Sequence, residues 1–163
     1  MILKKVFITG MAGMVGSHLA DYLFDNTDFE IHGLIRWQED TENLNNLIKN
    51  INEGNRVFLH YGDLNDSNSL NKIVKKIKPD FVFHLAAQSY PLTSFETSEE
   101  TYNTNIIGTE RLLLACKEYA INAIIHVCSS SEVFGKVPKE LVPINEECPF
   151  HPASPYAISK IGT

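Results

Sequence analysis

Tyr156 and Lys160 are the residues whose types and spacing point most directly to chemistry, and they lie in the segment Tyr-Ala-Ile-Ser-Lys. If this segment is helical, the two side chains lie on one face, one turn apart. The hydroxyl of a free tyrosine has a pKa of about 10, and a neighbouring ammonium favours its ionised form. The pair therefore predicts a general base that takes the proton of a hydroxyl group near neutral pH.

Three glycines near the amino terminus, Gly10, Gly13 and Gly16, form a G-x-x-G-x-x-G pattern. The pattern follows a predicted strand at residues 6–8 and opens a predicted amphipathic helix at residues 15–25. In this context Gly10 permits a tight turn, Gly13 lets the backbone approach a pyrophosphate, and Gly16 lets the helix pack close to the sheet. We therefore expect a dinucleotide whose phosphates meet the N–H groups of the helix N-terminus. A flexible glycine turn is the alternative interpretation.

Two polar residues at the ends of later strands bear on which dinucleotide binds. A carboxylate ending the second strand would bind the ribose hydroxyls of NAD, whereas an arginine accommodates the additional phosphate of NADP. Here Arg36 ends that strand and no acid does, which favours NADP; a solvated surface arginine is the alternative. After the third strand, Asp63 is expected to accept a hydrogen bond from the adenine amino group, or else to cap the next helix, a role for which Ser67 competes.

Short apolar runs alternate with longer amphipathic segments along the chain. Strands that alternate with helices pair in parallel through right-handed crossovers, and near-continuous apolar strands are covered on both faces. The sequence therefore predicts an α/β fold, a Rossmann-like doubly wound parallel sheet with strand order 3-2-1-4-5 and the Gly10 loop at the switch point between strands 1 and 4. The predicted strands cover residues 6–8, 31–35, 57–59, 81–85 and 123–128, and the predicted helices cover residues 15–25, 40–52, 67–77 and 98–119.

Composition argues against several classes of function. The 14 lysines and arginines against 20 aspartates and glutamates give a formal net charge of −6, which disfavours nucleic-acid binding. No apolar run approaches the ~18 residues of a membrane helix, and no signal peptide precedes the first strand, so we expect a cytoplasmic protein that binds no membrane. Three cysteines without a C-x-x-C pair predict free thiols, and six scattered histidines predict no metal site. His84 and His126 lie in predicted strands and are expected in the core or the crevice.

Together, the glycine pattern and the Tyr156–Lys160 pair make the chain resemble the extended short-chain dehydrogenase/reductase family over essentially all of its 163 residues. Within that family the sequence is similar to the GDP-mannose 4,6-dehydratase group. The segments that carry this resemblance are His60–Leu64, His84–Ser89, Asn105 followed by Gly108 and Thr109, Ser129–Gly135 and Ser154–Tyr156.

The resemblance implies a lyase that works on a nucleotide sugar, with GDP-mannose or a relative as its substrate and with transient hydride transfer to bound NADP. It implies that Tyr156 takes the proton of the C4 hydroxyl, that Ser130 hydrogen-bonds this hydroxyl, and that Lys160 supports the ionised tyrosine. Glu132 stands where a dehydratase needs a base to remove the C5 proton; a solvated loop carboxylate is the alternative.

The resemblance also implies which residues bind the ligands. NADP is the expected cofactor, and NAD is the second possibility. The expected cofactor-binding residues are Gly10, Gly13, Met14, Val15, Gly16, Arg36, Asp63, Leu64, Leu85, Ala86, Ala87, Gln88, Asn105, Tyr156 and Lys160. The expected substrate-binding residues are Gln88, Ser89, Ser130 and Glu132.

In this family further sheet strands and a substrate domain follow the segment that matches Lys160. We therefore expect residues 1–163 to be the NAD(P)-binding domain of a longer enzyme and to show little turnover alone. By the same resemblance, the parent enzyme is expected to be a homodimer or a homotetramer.

Two other functions stay open at this point. A nucleotide-sugar 4-reductase or epimerase of the same family would use Tyr156 and Lys160 in the same way, with Glu132 incidental. A dinucleotide sensor would keep only the fold, and the intact Tyr156–Lys160 pair argues against it. The chain also departs from its relatives, with Ser130 where GDP-mannose dehydratases usually carry threonine. Ser131 replaces the aspartate of dTDP-glucose dehydratases, which argues against dTDP-glucose as the substrate.

Overall fold

A computed structural model describes residues 3–163 of the chain. Over those residues, five parallel strands form one sheet in the order β3-β2-β1-β4-β5. The predicted doubly wound sheet and its strand order are therefore confirmed. The strands are β1 (Lys5–Thr9), β2 (Glu30–Ile35), β3 (Val57–Tyr61), β4 (Phe81–His84) and β5 (Ile124–Val127).

Helices connect the strands and follow the last one. The helix predicted at residues 15–25 is α1, and the helix predicted at residues 67–77 is α3 with the same bounds. The α-helices are α1 (Met14–Asn26), α2 (Ile48–Glu53), α3 (Ser67–Ile77), α4 (Pro91–Glu96), α5 (Ser98–Tyr102), α6 (Gly108–Tyr119) and α7 (Pro155–Gly162). Shorter turns are the 3-10 helices Glu42–Leu44, Ser131–Phe134 and Lys139–Leu141 and the π-helical turn Asn103–Ile107.

The described chain divides into two compact units. The first unit comprises the described part of Met1–Ala86 together with Glu110–Cys128, and it contains the sheet. The second unit comprises Ala87–Thr109 together with Ser129–Thr163. It is built from short helices: α7 packs against α4, α5, the π-helical turn and the 3-10 helix Ser131–Phe134.

The first unit buries apolar side chains on both faces of its sheet. Successive residues of a strand point to opposite faces, so Phe7 belongs to one core cluster while Val6 and Ile8 belong to the other. Helix α1 covers the face of Val6 and Ile8, and helices α3 and α6 cover the face of Phe7. Coverage of both faces explains why the strands are apolar along nearly their whole length.

The helix predicted over residues 40–52 is wrong in its first half. The chain forms the 3-10 helix Glu42–Leu44 there and becomes α-helical only in α2. The carboxylate of Asp40 accepts the N–H of Glu42 at 2.8 Å, and the amide of Asn43 donates to a carbonyl of the loop before α1 at 2.9 Å. Such hydrogen bonds between side chain and backbone compete with regular helix, which the apolar spacing did not reveal.

The long helix predicted over residues 98–119 is interrupted by the π-helical turn. The backbone carbonyl of Asn105 in this turn accepts hydrogen bonds from the hydroxyls of Thr109 at 2.5 Å and Thr163 at 3.2 Å. The wider turn buries the Asn105 side chain, which is 2% exposed. The interruption therefore serves a buried polar contact, and a π-helical turn is often found at functional positions.

The two strand histidines differ in burial. His84 is buried as predicted, whereas the prediction that His126 lies in the core or the crevice is wrong because its side chain is exposed. β5 is the edge strand of the sheet, and Ile124 and His126 share its exposed side.

No helix within residues 3–163 is long and apolar enough to cross a membrane. The same residues contain no group of three or more histidines, cysteines, aspartates or glutamates that could hold a metal ion. Cys116, Cys128 and Cys148 form no disulfide within the described residues, and burial raises the pKa of the Cys116 thiol to about 11.

Candidate active site

The glycine loop of the first unit turns sharply between β1 and α1. Gly10 has φ +70°, and a Cβ there would lie 3.0 Å from the Cα of Ala86. The N–H of Gly13 donates to the carbonyl of Gly10 at 3.1 Å and closes the turn. A Cβ on Gly16 would collide with that carbonyl and lie 2.8 Å from the Cα of Met11. The loop follows β1, between β2 and β4, which confirms the predicted switch point.

Thr9, the last residue of β1, fixes the chain after β4. Its Oγ1 accepts hydrogen bonds from the backbone N–H groups of Leu85 and Ala86, each at 3.1 Å. The same oxygen lies 2.8 Å from Nδ1 of His84. Because two N–H donors already occupy the oxygen, its proton is directed at His84 Nδ1, which acts as the acceptor. Thr9 therefore holds the backbone of Leu85 and Ala86 beside Gly10.

The N-terminus of α1 fits the phosphates of a dinucleotide. The helix begins at Met14 after an extended Gly13, and no side chain caps it. Met14 and Val15 are exposed, and the first N–H groups of a helix have no acceptor within it. Backbone donors at the positive end of a helix, with no competing side chain, are the arrangement that binds anionic groups in many proteins.

Arg36 follows β2 and lines a pocket of about 510 Å³. The Arg36 side chain is 69% exposed, and its Nη2 lies 3.6 Å from Oε1 of Glu39. In the same pocket Trp37 packs edge to face on Tyr61, with ring centroids 5.1 Å apart. An exposed guanidinium beside exposed aromatic rings suits an adenosine that carries a phosphate, since the rings offer stacking surface and the guanidinium pairs with phosphate oxygens.

Asp63 lines the same pocket, and its Oδ1 accepts a backbone N–H two residues further on at 2.8 Å. The cap of α3 is Asp66, whose carboxylate accepts the N–H of Asn68 at 3.0 Å. The alternatives in which Asp63 or Ser67 caps this helix are therefore wrong. The Leu64 side chain is buried in the core, so only its backbone is available to a ligand.

Helix α7 of the second unit carries Tyr156 and Lys160 one turn apart, so the conditional prediction of a helix is confirmed. Ser154 caps the helix: its Oγ accepts the N–H of Ala157 at 3.0 Å. The N–H of Tyr156 donates to Oγ of Ser94 at 3.1 Å, which joins α7 to α4. Tyr156 and Lys160 are each 8% exposed, so both residues are buried.

Ser130 and Glu132 lie in the same unit, at the start of the 3-10 helix that α7 contacts. Oγ of Ser130 accepts the N–H of Glu132 at 3.2 Å and caps this turn. Val133 is buried and anchors the turn, whereas Glu132 is exposed. The four residues predicted as catalytic are thus brought together in one unit, with the Glu132 carboxylate on its surface.

Asn105 uses its whole side chain to hold other residues in place. Its Oδ1 accepts the N–H of Gln88 at 2.8 Å, and its Nδ2 donates to the carbonyl of Gln88 at 3.0 Å and to Oγ of Ser159 at 2.8 Å. Oγ of Ser159 in turn donates to the carbonyl of Tyr156 at 2.7 Å. Asn105, predicted to bind the cofactor, is therefore arranged to position Gln88 and α7.

Gln88 offers a free acceptor in this unit. Its Nε2 donates to the carbonyl of Tyr90 at 3.2 Å, whereas its Oε1 is buried without a hydrogen-bond partner. A buried acceptor without a donor costs about 1–3 kcal/mol until a ligand or water supplies one. Gln88 therefore fits a donor group of a cofactor or substrate. The neighbouring Ser89 is exposed, and Ala87 is partly buried.

Sequence reasoning missed several side chains that position these groups. Glu39 follows Arg36 by three residues, a spacing at which the two side chains can meet, so the sequence did carry a signal for that pair. Each of the two missed serines, by contrast, has one hydrogen-bond partner on a distant segment of the chain, and no local pattern marks that contact. The missed residues are Thr9, Glu39, Ser94 and Ser159.

Known proteins match this chain over nearly its whole length. A sequence model of the family described as GDP-mannose 4,6 dehydratase matches residues 7–163. The GDP-mannose 4,6 dehydratase of Drosophila melanogaster is 40% identical over an alignment 164 residues long, which covers 97% of this chain and 41% of that protein. The chain therefore spans about two-fifths of the length of this relative.

Solved structures share the fold. The UDP-glucose 4-epimerase of Thermus thermophilus, in complex with NAD, is 29% identical with a TM-score of 0.80 and is matched over 96% of this chain and 47% of its own. The protein RMD of Pseudomonas aeruginosa, complexed with NADPH, is 30% identical with a TM-score of 0.74 over 98% of this chain and 45% of its own.

Proposed function

Because the chain belongs to the GDP-mannose 4,6 dehydratase family, we propose that it forms the cofactor-binding and catalytic part of a nucleotide-sugar 4,6-dehydratase that converts GDP-mannose to GDP-4-keto-6-deoxymannose. The observation that carries the proposal is the Glu132 carboxylate on a turn in contact with the helix of Tyr156 and Lys160. A dehydratase needs a second base beside the oxidising pair, and Glu132 is a candidate for it.

NADP is the proposed cofactor, and when bound it supplies the acceptor and donor of hydride. The backbone N–H groups after Gly13 would hold its phosphates, and the Arg36 guanidinium would pair with the additional 2′-phosphate. Titration calorimetry on the full-length protein should give a lower Kd for NADP⁺ than for NAD⁺. The Arg36→Ala variant should lose that preference; tighter NAD⁺ binding in the parent would contradict it.

The proposed proton chemistry uses groups of the second unit. Tyr156 takes the proton of the C4 hydroxyl while Ser130 hydrogen-bonds the same oxygen. Lys160, one helical turn away, places a positive charge on the same helix. The hydrogen bond from Tyr156 N–H to Ser94, together with the Ser154 cap, fixes the start of the helix that carries the base. These contacts reduce the motion of the Tyr156 backbone and so favour a productive geometry.

Glu132 removes the C5 proton once C4 is a ketone, and the C6 hydroxyl takes up a proton and leaves as water. Return of the hydride to C6 and of a proton to C5 would then give the 4-keto-6-deoxy product. The carboxylate is exposed, while its backbone is held by Ser130 and by the buried Val133 next to it. A base on a fixed backbone with a free side chain can meet a sugar that arrives from solvent.

Substitution of Glu132 by glutamine tests the proposed function. Glutamine keeps the size and removes the basicity, so dehydration of GDP-mannose by the full-length protein should fall by roughly 10²–10⁴. Formation of reduced cofactor should survive in part, because the oxidation at C4 requires only Tyr156, Lys160 and Ser130. Dehydration can be followed by product analysis, and proton removal by incorporation of solvent deuterium at C5.

Two further variants complete this experiment. Tyr156→Phe should abolish the first hydride transfer as well as dehydration. Glu140→Gln removes another exposed carboxylate of the same unit and should leave turnover unchanged. Dehydration at the parental rate in Glu132→Gln would make Glu132 a solvated loop carboxylate.

A 4-reductase or epimerase is the second candidate, and the likeness to the Thermus thermophilus UDP-glucose 4-epimerase favours it. Such an enzyme would need Tyr156 and Lys160 but no base at Glu132. Net consumption of NADPH, or a product that keeps its C6 hydroxyl, would identify it.

The leucines of α6 that are turned outward, Leu113 and Leu114, suit contact with a second subunit, and we propose a homodimer or a homotetramer on that basis.

A further inference from the structure

Residues 36–39 form a tight turn that folds Glu39 back onto Arg36. The N–H of Glu39 donates to the carbonyl of Arg36 at 3.2 Å, and Gln38 has φ 63°, which few residues other than glycine adopt. Oε2 of Glu39 accepts the backbone N–H of Arg36 at 2.8 Å. Oε1 of the same carboxylate lies 3.6 Å from the Arg36 guanidinium. One carboxylate therefore contacts both the backbone and the side chain of Arg36.

Glu39 is fixed more firmly than Arg36. The side chain of Glu39 is 23% exposed, whereas that of Arg36 is 69% exposed. The hydrogen bond to a backbone N–H holds the carboxylate whether or not the guanidinium stays beside it. A phosphate that binds Arg36 therefore comes close to the negatively charged Glu39 carboxylate, which stays beside Arg36.

The charge balance of the pocket adds to this effect. Arg36 is the only lysine or arginine among the described residues that line it, whereas Glu39, Asp63 and Asp66 all contribute carboxylates. A ribose with two free hydroxyls carries no charge into this pocket. A 2′-phosphate brings up to two negative charges, so repulsion acts on NADP and leaves NAD nearly unaffected.

We propose that Glu39 is a cofactor-selectivity residue, which competes with the 2′-phosphate of NADP for Arg36 and so limits the preference for NADP over NAD. This inference rests on the proposed nicotinamide-dependent function. Arg36 supplies the attraction for the phosphate, and Glu39 sets how much of that attraction is available. The two residues act in opposite directions on one ligand group, and neither touches the reacting atoms.

Substitution of Glu39 by glutamine tests the proposal. Glutamine retains an oxygen that can accept the Arg36 N–H, so the turn is kept while the charge is removed. In the full-length protein the Kd for NADP⁺ should fall roughly threefold to tenfold, and the Kd for NAD⁺ should change less than about twofold. Calorimetric titration with adenosine 2′,5′-bisphosphate and with 5′-AMP should reproduce the difference without the nicotinamide. The gain should shrink at high salt, because the guanidinium and its partners are exposed.

Asp40→Asn is the matched control. It removes an adjacent exposed carboxylate that is absent from the pocket lining and keeps the oxygen that accepts the N–H of Glu42. It should leave both Kd values unchanged. In the Arg36→Ala background, Glu39→Gln should improve NADP⁺ binding by a smaller factor than in the parent, because no guanidinium is left to release.

Three results would overturn the proposal. An unchanged ratio of the two Kd values in Glu39→Gln would show that the carboxylate does not compete, and an equal gain in Asp40→Asn would reduce the effect to net charge. Weaker NAD⁺ binding in Glu39→Gln would make Glu39 an acceptor for the ribose hydroxyls, and the nicotinamide-dependent function would stand. Failure of the parent to bind either dinucleotide would instead remove the proposed function itself, and this inference with it.

Discussion

The two compact units position their functional groups by different means. In the first unit a parallel sheet with helices on both faces presents a backbone loop, and Gly10, Gly13 and Gly16 contribute by having no side chain. The second unit has no strand within its residues, and side chains such as Asn105 and Ser94 hold its helices together through hydrogen bonds. Substitutions that add side-chain atoms should therefore disturb the first unit most. Substitutions that remove hydrogen-bonding side chains should disturb the second unit most.

This difference follows from what each site must bind. A phosphate is recognised by several N–H groups at once, which requires that the backbone itself come close and that no Cβ intervene. Proton transfer needs a few side-chain atoms held in a fixed geometry, which requires neighbours that fill every hydrogen-bonding position around them. Polar residues buried in the second unit are accordingly there to position others.

Loss of the Asn105 side chain should have the largest effect on stability in either unit. Asn105→Ala leaves the N–H of Gln88 and the hydroxyl of Ser159 without their buried partner, and each such group costs about 1–3 kcal/mol. We expect a loss of about 3 kcal/mol in the free energy of unfolding, measured by urea denaturation of the full-length protein. Asn71→Ala, at an exposed position of α3, should change it by less than about 0.5 kcal/mol. Equal effects of the two substitutions would contradict the role given to Asn105.

Gly16→Ala and Gly13→Ala apply one substitution at two positions of the glycine loop. The added Cβ at Gly16 meets the backbone of Gly10 and Met11, which cannot rotate away, so about 2 kcal/mol of stability should be lost. Gly13 has φ −73° and its Cβ would approach only the carbonyl of Gly10, at 3.2 Å, so unfolding should change little. Both variants should weaken NADP⁺ binding in calorimetry. A Gly13→Ala variant as unstable as Gly16→Ala would show that the loop tolerates no side chain anywhere.

The difference between the units also explains what the sequence could predict. The strands, α1, α3 and the glycine loop depend on local spacing, and all were found where the pattern indicated them. The segment before α2 was not, because Asp40 and Asn43 form hydrogen bonds that apolar spacing does not register. Local patterns therefore succeeded where packing alone decides the backbone.

In the second unit the sequence indicated the candidate catalytic residues, but it did not indicate the contacts that hold them in place. The four-residue spacing of Tyr156 and Lys160 predicted a helix, and α7 confirms it. The contacts that hold this helix join residues far apart in the chain: Asn105 is 54 positions from Ser159, and Ser94 is 62 positions from Tyr156. No periodicity records such pairs, so the positioning residues emerged only from the structure.

A pair of histidines, with His32 buried and His60 partly buried, is expected to make the first unit sensitive to acid. Nδ1 of His32 lies 3.1 Å from Nε2 of His60 across β2 and β3. Burial, the charge of His60 and the charges of Lys5 and Lys76 lower the pKa of His32 to about 3, although Glu30 lies 3.6 Å from its Nε2. Burial and Lys76 lower the pKa of His60 to about 4.

Stability should therefore fall as the pH is lowered from neutrality. Above pH 6.5 both rings are neutral in the folded and unfolded states, and their contribution is fully present. Below pH 6.5 the unfolded chain takes up protons that the folded chain does not, so stability is lost progressively toward pH 4. Two rings that stay neutral in the folded chain would give at most about 4 kcal/mol between pH 7 and pH 5. Because solvent reaches part of each ring and screens its charge, we expect a loss of about 1–2 kcal/mol in urea denaturation.

Two variants separate this effect from general acid sensitivity. His60→Gln removes one titrating ring and the charge that acts on His32, so its stability should depend less steeply on pH between 7 and 5. His126→Gln removes an exposed histidine of the same unit and should keep the parental slope. A parental slope in His60→Gln would mean that other groups cause the acid sensitivity.

The smallest expected effect concerns the cap of α3, where two neighbouring residues have different tasks. Asp66 accepts the N–H of Asn68 and satisfies a donor that the helix leaves free, so Asp66→Ala should cost about 1 kcal/mol in the free energy of unfolding. Ser67→Ala changes the next residue, which is not the cap, and should cost less than about 0.5 kcal/mol. Thermal denaturation of the parent and of both variants in the same buffer gives the comparison. If Ser67→Ala proved the more damaging, the cap would be Ser67, and Asp66 would be one more acid facing the pocket of Arg36.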